Sequence, residues 1–138
     1  MNPRETKALR WIANATGYRT DQIKFTNNRS PDFTTPDGQG FEVKTLKFHG
    51  IDTWPRQWDQ LKALRRCTIL VFSEGEEPEA IIPIAELPDG PSKWEDISIR
   101  FLAQCPGSTE RTRLWSEYVA DCARMTRRVA IREGRLME

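Results

Sequence analysis

Residues 31–46 combine a proline-led strand, a tight turn and a strictly alternating strand, and they constrain the fold more than any other part of the chain. Pro31 and Asp32 lie at the start of the proline-led strand, where a proline removes no interior ladder bond. The Pro-Asp-Gly sequence at 36–38 predicts a turn, because proline presets φ and glycine tolerates a positive φ. Residues 41–46 alternate apolar and polar side chains with a period of two, which is typical of a strand. These patterns together predict a β-hairpin.

This hairpin carries three polar side chains that suit one kind of chemistry. The alternation places Glu42 and Lys44 on one face of their strand, and the turn brings Asp32 beside them. Two carboxylates can hold a magnesium ion, and a neighbouring lysine can orient and polarise an attacking water. The pattern therefore predicts metal-assisted phosphodiester hydrolysis with Mg²⁺, for which we expect Mn²⁺ to substitute. A solvated hairpin without a site would show the same alternation.

The rest of the chain up to residue 105 predicts alternating helices and strands. Residues 68–72 form a continuous apolar run, which is typical of a buried strand. We expect this strand to pair parallel to the strand over 41–46. Pro83 interrupts the strand expected over 80–84 and predicts that this strand lies near a sheet edge. The expected elements are a helix over 2–17, strands over 21–26, 32–35 and 41–46, a loop over 50–55, a helix over 58–66, strands over 68–72 and 80–84, and a helix over 94–105.

A long helix is predicted after residue 108. Ser108 or Thr109 is a suitable cap, and apolar residues follow at steps of three and four. We expect this stripe to pack on the sheet, with the arginine-rich opposite face in solvent. The alternative is a contact with nucleic acid or with a second copy of the chain. The stripe consists of Leu114, Trp115, Tyr118, Val119, Cys122, Met125 and Val129.

Histidine and cysteine content excludes several classes of site. His49 is the single histidine, so one subunit cannot build a metal site that needs two or three imidazoles. It also has no nucleophile-elbow motif beside it, and the chain has no Gly-Lys-Ser/Thr phosphate loop. The three cysteines, Cys67, Cys105 and Cys122, are widely spaced, which argues against a disulfide framework or a structural zinc. We therefore expect a reducing, cytoplasmic location.

Residues 5–87 resemble the PD-(D/E)xK nuclease superfamily, which includes restriction endonucleases and archaeal Holliday-junction resolvases. The resemblance depends on the Pro-Asp pair at 31–32 and the Glu-Val-Lys triplet at 42–44. It implies an α/β fold in a single domain over residues 1–138, with an αβββαβ restriction-endonuclease-like core whose mixed central sheet is flanked by helices. A C-terminal helical extension over about residues 92–133 would contain the long helix.

The resemblance also implies roles for individual residues. Asp32 and Glu42 would be metal ligands, with the backbone carbonyl of Val43 completing the shell. Lys44 would position the water. Resolvase-like members carry another glutamate on the first helix, and Glu5 matches it as a further metal ligand.

Outside the hairpin, further candidates are a catalytic glutamine and four nucleic-acid contacts. Many members of the superfamily carry a glutamine on the helix after the third strand, and Gln60 matches it. Arg29, Lys47 and Arg56 flank the hairpin and are candidates for phosphate contacts. Trp54, in a loop, either stacks on an unpaired base or anchors the loop against the core.

Charge is distributed unevenly along the chain. The formal net charge is only +1, yet residues 1–68 hold 12 Lys and Arg against 7 Asp and Glu. A local positive excess is what docking on a polyphosphate backbone needs, although a charge-mixed surface would also show it. No run approaches the roughly 18 apolar residues that a membrane span requires, so we expect no membrane contact.

The sequence thus favours a metal-dependent deoxyribonuclease, with the water activated between the metal and Lys44, and an endonuclease rather than an exonuclease. The partner is DNA, and the chain is a possible homodimer. One alternative is a nucleic-acid-binding module that keeps the nuclease fold without chemistry. Another is a structural partner in a larger complex, for which the hairpin would have no metal affinity.

Overall fold

The computed structural model of the protein describes residues 1–27, 30–47, 50–52, 60, 63–64, 66–86, 96–105, 108–132 and 134. The helices in this part of the chain are α1 (Pro3–Thr16), α2 (Ile99–Gln104) and α3 (Glu110–Arg132). Its strands are β1 (Lys24–Phe25), β2 (Phe33–Thr34), β3 (Gly40–Thr45), β4 (Gly50–Asp52), β5 (Cys67–Phe72), β6 (Ala80–Pro83) and β7 (Asp96–Ser98). Two 3-10 turns, Thr20–Gln22 and Ile84–Glu86, precede β1 and follow β6.

Helix α1 begins and ends where its sequence predicts. Asn2 caps it by accepting a hydrogen bond from the backbone N–H of Glu5 at 2.8 Å. The Glu5 carboxylate accepts in return from the backbone N–H of Asn2 at 2.9 Å, which completes a capping box. Gly17 ends the helix with φ of 82°, and its N–H donates to the carbonyl of Ala13.

Five strands form one mixed sheet in the order β1-β2-β3-β5-β6. The pairs β1–β2, β2–β3 and β5–β6 are antiparallel, whereas β3 and β5 are parallel. The predicted parallel pairing of the apolar run is therefore confirmed, and so is the edge position of β6. Strands β4 and β7 form a separate antiparallel pair.

Apolar side chains are buried on both faces of the five-stranded sheet. The cluster on the face next to α1 consists of Ala8, Ile12, Ile23, Phe33, Phe41, Val43, Leu70 and Phe72. The cluster on the opposite face, beside α2, consists of Ile51, Cys67, Ile69, Val71, Ala80, Ile82, Ile84 and Leu102. Because side chains alternate along a strand, Glu42 and Lys44 point to this second face.

Three predicted elements are wrong in their bounds. The strand expected over 21–26 shrinks to β1, because Thr20–Gln22 closes a 3-10 turn in which the N–H of Ile23 donates to the carbonyl of Thr20. The loop expected over 50–55 begins with β4, and the helix expected over 94–105 begins with its partner β7. Both strands are three residues long and pair with each other, and Gly50 of β4 also bridges to Lys47, so neither strand has a local pattern that indicates it. The helix expected over 58–66 lies mostly outside the described residues.

The apolar stripe of α3 is only partly buried, which corrects the prediction that it packs on the sheet. Val119 packs against the second cluster, but four members of the stripe are exposed. The helix instead docks through Thr112, which is fully buried and donates to a carboxylate oxygen of Glu79 at 3.1 Å. With Thr112 and Val119 facing the core, the rest of the stripe, which lies about a quarter turn around the helix, faces away from the sheet. The exposed members are Leu114, Trp115, Tyr118 and Met125.

Candidate functional site

A tight turn fixes the register of the hairpin formed by β2 and β3. The N–H of Gly38 donates to the carbonyl of Thr35 at 3.0 Å, and the N–H of Thr35 donates to the carbonyl of Gln39 at 2.9 Å. The Asp37 carboxylate accepts from the Thr35 hydroxyl at 2.5 Å and from the Gln39 amide at 2.8 Å. These two bonds, with the charge of Arg66, lower the pKa of Asp37. The side chains of the turn therefore reinforce its backbone.

The hairpin register brings Asp32 opposite Glu42. The ladder pairs Phe33 with Phe41, so one further antiparallel step aligns the two acids. In addition, Oδ2 of Asp32 accepts a hydrogen bond from the backbone N–H of Val43 at 2.8 Å. The two carboxylates are therefore brought together as predicted, because the Asp32 side chain is hydrogen-bonded to the strand that carries Glu42.

Glu42 is buried beside this anchored carboxylate. Its side chain is 3% exposed, and burial raises its pKa from the ordinary value of 4.5 to about 8. The negative charge of Asp32 contributes to the rise, whereas the positive charge of Lys44 lowers the pKa. A hydrogen bond with the Ser30 side chain lowers it as well. Two carboxylates and an ammonium group thus act on one another, as the sequence predicts.

Backbone geometry orients the carbonyl of Val43 towards the side of β3 on which Asp32 lies. At the start of β3 the N–H of Gly40 donates to the carbonyl of Arg66, and directly after β3 the N–H of Leu46 donates to the carbonyl of Phe72, so both point towards the β5 side. The N–H of Val43 points the other way, towards Asp32. The carbonyl of a strand residue lies on the same side as its N–H, so that of Val43 also faces the Asp32 side.

Close packing of Gly40 against Pro31 positions Asp32. A Cβ atom on Gly40 would lie 2.9 Å from Cγ and 3.2 Å from Cβ of the Pro31 ring. Any larger residue at this position would therefore push Pro31, and with it the adjacent Asp32. Only a glycine at position 40 therefore allows the Pro31 ring to pack this closely against β3.

Cys67 and Arg66 lie beside the start of β3, and no sequence pattern identified them as candidate site residues. Cys67 pairs with Gly40 across the parallel ladder, and burial, followed by the charge of Glu42, raises the pKa of its thiol to about 12. Arg66 borders a cavity of about 330 Å³ beside the hairpin and a second of about 340 Å³ that Cys67 also lines. The apolar run after residue 67 predicts β5, but only the register of β5 against β3 places these two residues.

The other predicted site residues stay predictions. Glu5 is engaged in the α1 cap, and α1 packs on the face opposite Glu42. Gln60 is exposed on helical backbone, and Lys47 is exposed in the turn that follows β3. Arg29, Trp54 and Arg56 lie outside the described residues.

The donor set of the hairpin fits magnesium better than a metal that needs a full protein cage. Among the described residues, no three His, Cys, Asp or Glu side chains are grouped so that they could hold a metal. Magnesium usually binds through only one or two carboxylates and keeps water or substrate oxygens as its other ligands. Asp32, Glu42 and the Val43 carbonyl have oxygen atoms that could serve as ligands of this kind.

Comparisons with protein-family models, with curated proteins and with solved structures found no match. In the described part of the chain, no helix combines the length and apolar character that crossing a membrane requires. The chemistry of the hairpin residues is therefore the basis for a functional proposal.

Proposed function

We propose that the protein is a metal-dependent nuclease that hydrolyses phosphodiester bonds in DNA. The observation that carries the proposal is the buried Glu42 beside Asp32, with the charge of Lys44 acting on it. A buried carboxyl with a raised pKa next to a second carboxylate is costly for a fold to keep, and such pairs are typical of functional sites.

The arrangement of elements supports a restriction-endonuclease-like core as part of this proposal. Helix α1 is followed by the antiparallel strands β1, β2 and β3, and then by β5, which is parallel to β3. The proposed acids lie on the second and third of these strands or directly beside them. This order supports the αβββ part of the core that the resemblance implies, with β4 as an addition, and the helix expected before β5 lies mostly outside the described residues.

In the proposed mechanism, Asp32, Glu42 and the carbonyl of Val43 would hold Mg²⁺. The bound ion would supply charge neutralisation at the phosphate and acidify the attacking water. Asp32 is held in position by its hydrogen bond to the Val43 N–H. Lys44 orients the attacking water and stabilises negative charge as it develops on the phosphate oxygens.

Basic residues near the hairpin are proposed to dock the DNA backbone. Lys47 is exposed directly after β3, and Arg66 is partly exposed beside the turn of the hairpin. The positive excess over residues 1–68 agrees with this surface. Internal cleavage and a cytoplasmic location are part of the same proposal.

The test is cleavage of labelled four-way junction, flap, duplex and single-stranded DNA with Mg²⁺, with Mn²⁺ and with EDTA. Wild type is compared with Asp32→Asn and with Asp37→Asn, which makes the same change in the turn of the same hairpin. We expect metal-dependent cleavage that falls at least about 100-fold in Asp32→Asn and is retained in Asp37→Asn. Equal cleavage by both variants, or cleavage that persists in EDTA, would contradict the proposal.

A nuclease-fold binding module without chemistry is the second candidate, and the raised pKa of Glu42 is the observation in its favour. A protonated Glu42 can donate a hydrogen bond to Asp32, which would make the pair a neutral structural contact. In that case DNA binds without cleavage in any metal, and Asp32→Asn leaves binding unchanged.

A further inference from the structure

An exposed apolar stripe on α3 is a feature that the proposed nuclease site does not explain. Leu114, Tyr118 and Met125 are 57%, 55% and 65% exposed, and Trp115 is 38% exposed. From Trp115 the stripe continues through Tyr118, Cys122 and Met125 at steps of three, four and three residues. This spacing forms a seam that suits packing against another helix. These five residues are called the α3 seam below.

The α3 seam is separate from the side of the helix that docks on the sheet. Thr112 is fully buried and Val119 packs on the apolar cluster beside α2. At about 3.6 residues per turn, these two lie roughly a quarter turn around the helix from the α3 seam. The Trp115 and Tyr118 rings stack with centroids 5.7 Å apart, so they present one aromatic surface. A second helix can therefore pack on the α3 seam while α3 stays docked.

Charge along α3 is divided between its two halves. The acidic residues of the helix all lie in its first half, whereas its second half carries arginines and no acid. Antiparallel pairing of two such helices brings acids next to arginines, and parallel pairing brings like charges together. The acids are Glu110, Glu117 and Asp121. The arginines of the second half are Arg124, Arg127, Arg128 and Arg132.

The two arginines of the first half do not change this pattern, because both are engaged within the chain. Arg111 lies 3.8 Å from the carboxylates of Glu74 and of Glu79. Arg113 donates to the backbone carbonyl of Ser108 at 3.2 Å. Asp121 likewise pairs with Arg124 of the same helix, so the charge contrast beside the α3 seam lies between Glu110 and Glu117 in the first half and Arg128 and Arg132 in the second.

We propose that a second copy of this chain covers the α3 seam, with the two α3 helices antiparallel and the two-fold axis near Cys122. Glu117 and Arg128 lie at nearly equal distances on either side of Cys122 and on the same flank of the seam. The two-fold symmetry makes the contact self-complementary, so Glu117 of each copy faces Arg128 of the other. Glu110 and Arg132 are related in the same way.

A nucleic acid is a less suitable occupant of this surface. The arginines of the second half would attract phosphates, but the acids of the first half would repel them. The aromatic and aliphatic side chains of the α3 seam also match a helix that carries the same seam. The dimer is independent of the proposed cleavage, since its test requires no activity.

Single charge reversals at Glu117 and Arg128, and the double variant that exchanges the two charges, test the pairing of these residues across the dimer. Sedimentation equilibrium measures the dissociation constant of each variant. Glu117→Arg and Arg128→Glu should each weaken dimerisation about tenfold, because each places like charges opposite one another at both ends of the contact. The double variant restores opposite charges and should regain the wild-type dissociation constant. The two residues are three helical turns apart, so they cannot compensate within one chain. Arg127→Glu, the same change on the far side of the helix, should leave dimerisation unchanged.

The apolar contact is tested by Met125→Glu, which should give a folded monomer with an unchanged circular dichroism spectrum. A short bis-maleimide should link two wild-type chains through Cys122 and fail in Cys122→Ser. A wild-type chain that stays monomeric at high micromolar concentration would overturn the proposal. So would a double charge variant no better than the single ones. Loss of DNA binding in Arg128→Glu, with a monomeric wild type, would assign the surface to nucleic acid instead.

Discussion

The backbone N–H of Val43 donates to Oδ2 of Asp32 at 2.8 Å, so a side chain continues the pairing of β2 and β3 beyond its last ladder pair. The bond fixes one proposed metal ligand directly beside the other, Glu42. The same bond explains why Asp32 lies beside β3 although this residue precedes the regular strand β2. Strand pairing and the geometry of the proposed site therefore depend on the same carboxylate.

Asp32→Ala should loosen this end of the hairpin more than Asp32→Asn. Alanine leaves the Val43 N–H without its acceptor, which we expect to lower the free energy of unfolding by about 1–3 kcal/mol. Asparagine keeps an oxygen acceptor and should lose less. Urea unfolding measures the global effect, and amide hydrogen exchange at Val43 measures the local one. Equal exchange rates at Val43 in the two variants would contradict this account.

Gly40→Ala should destabilise the protein and reduce any cleavage. The added Cβ would lie 2.9 Å from Cγ of Pro31, and relief of such overpacking typically costs about 1–3 kcal/mol. Because Pro31 precedes Asp32, the shift also displaces a proposed ligand. Gly75→Ala is the matched control, since a Cβ there would meet no atom within 4 Å. Thermal unfolding of the two variants checks the prediction, and an equal change in both would refute it.

Thr112→Val should weaken the docking of α3. The Thr112 hydroxyl is fully buried and donates to the Glu79 carboxylate at 3.1 Å, so valine removes a donor from a buried charge. We expect a loss of about 1–3 kcal/mol in the free energy of unfolding. Thr126→Val makes the same change on an exposed turn of the same helix and should stay within about 0.5 kcal/mol. Similar losses in both variants would mean that the Glu79 contact does not hold the helix.

Local patterns in the sequence were sufficient to predict the hairpin. Proline, glycine and a period of two act over a few residues, and they indicated the turn at 36–38 and the strand that carries Glu42 and Lys44. The same holds for α1, whose expected bounds at 2–17 agree with the observed helix Pro3–Thr16 to within one residue at each end. The apolar run of β5 indicated a buried parallel strand for the same reason.

Features that depend on distant parts of the chain could not be predicted. β4 and β7 are short strands that pair with each other across more than forty residues. Cys67 reaches the site through the register of β5, which no local pattern specifies. The orientation of α3 depends on the contact between Thr112 and Glu79, whereas an apolar stripe indicates burial without specifying the partner.

The pKa of Glu42 gives a stability profile with a definite sign. The pKa is about 8 in the folded protein against 4.5 as the ordinary value, so the folded state keeps a proton that the unfolded state loses between these values. Without metal, this stabilisation is fully present below about pH 4.5 and is lost as the pH rises to about 8, with a slope of at most about 1.4 kcal/mol per pH unit. Glu42→Gln should flatten the profile, which urea unfolding across this pH range measures.

Magnesium should oppose this loss if Asp32 and Glu42 bind it. Binding requires the ionised carboxylate, so Mg²⁺ must displace the proton of Glu42, and its affinity should rise up to about tenfold per pH unit between pH 6 and pH 8. Calorimetry in two buffers of different ionisation enthalpy counts the proton that is released. Asp37→Asn should behave like wild type, because the Asp37 carboxylate bonds within its own turn. An affinity that is independent of pH, or that Glu42→Gln retains, would show that the metal binds elsewhere and that the raised pKa of Glu42 belongs to a structural contact.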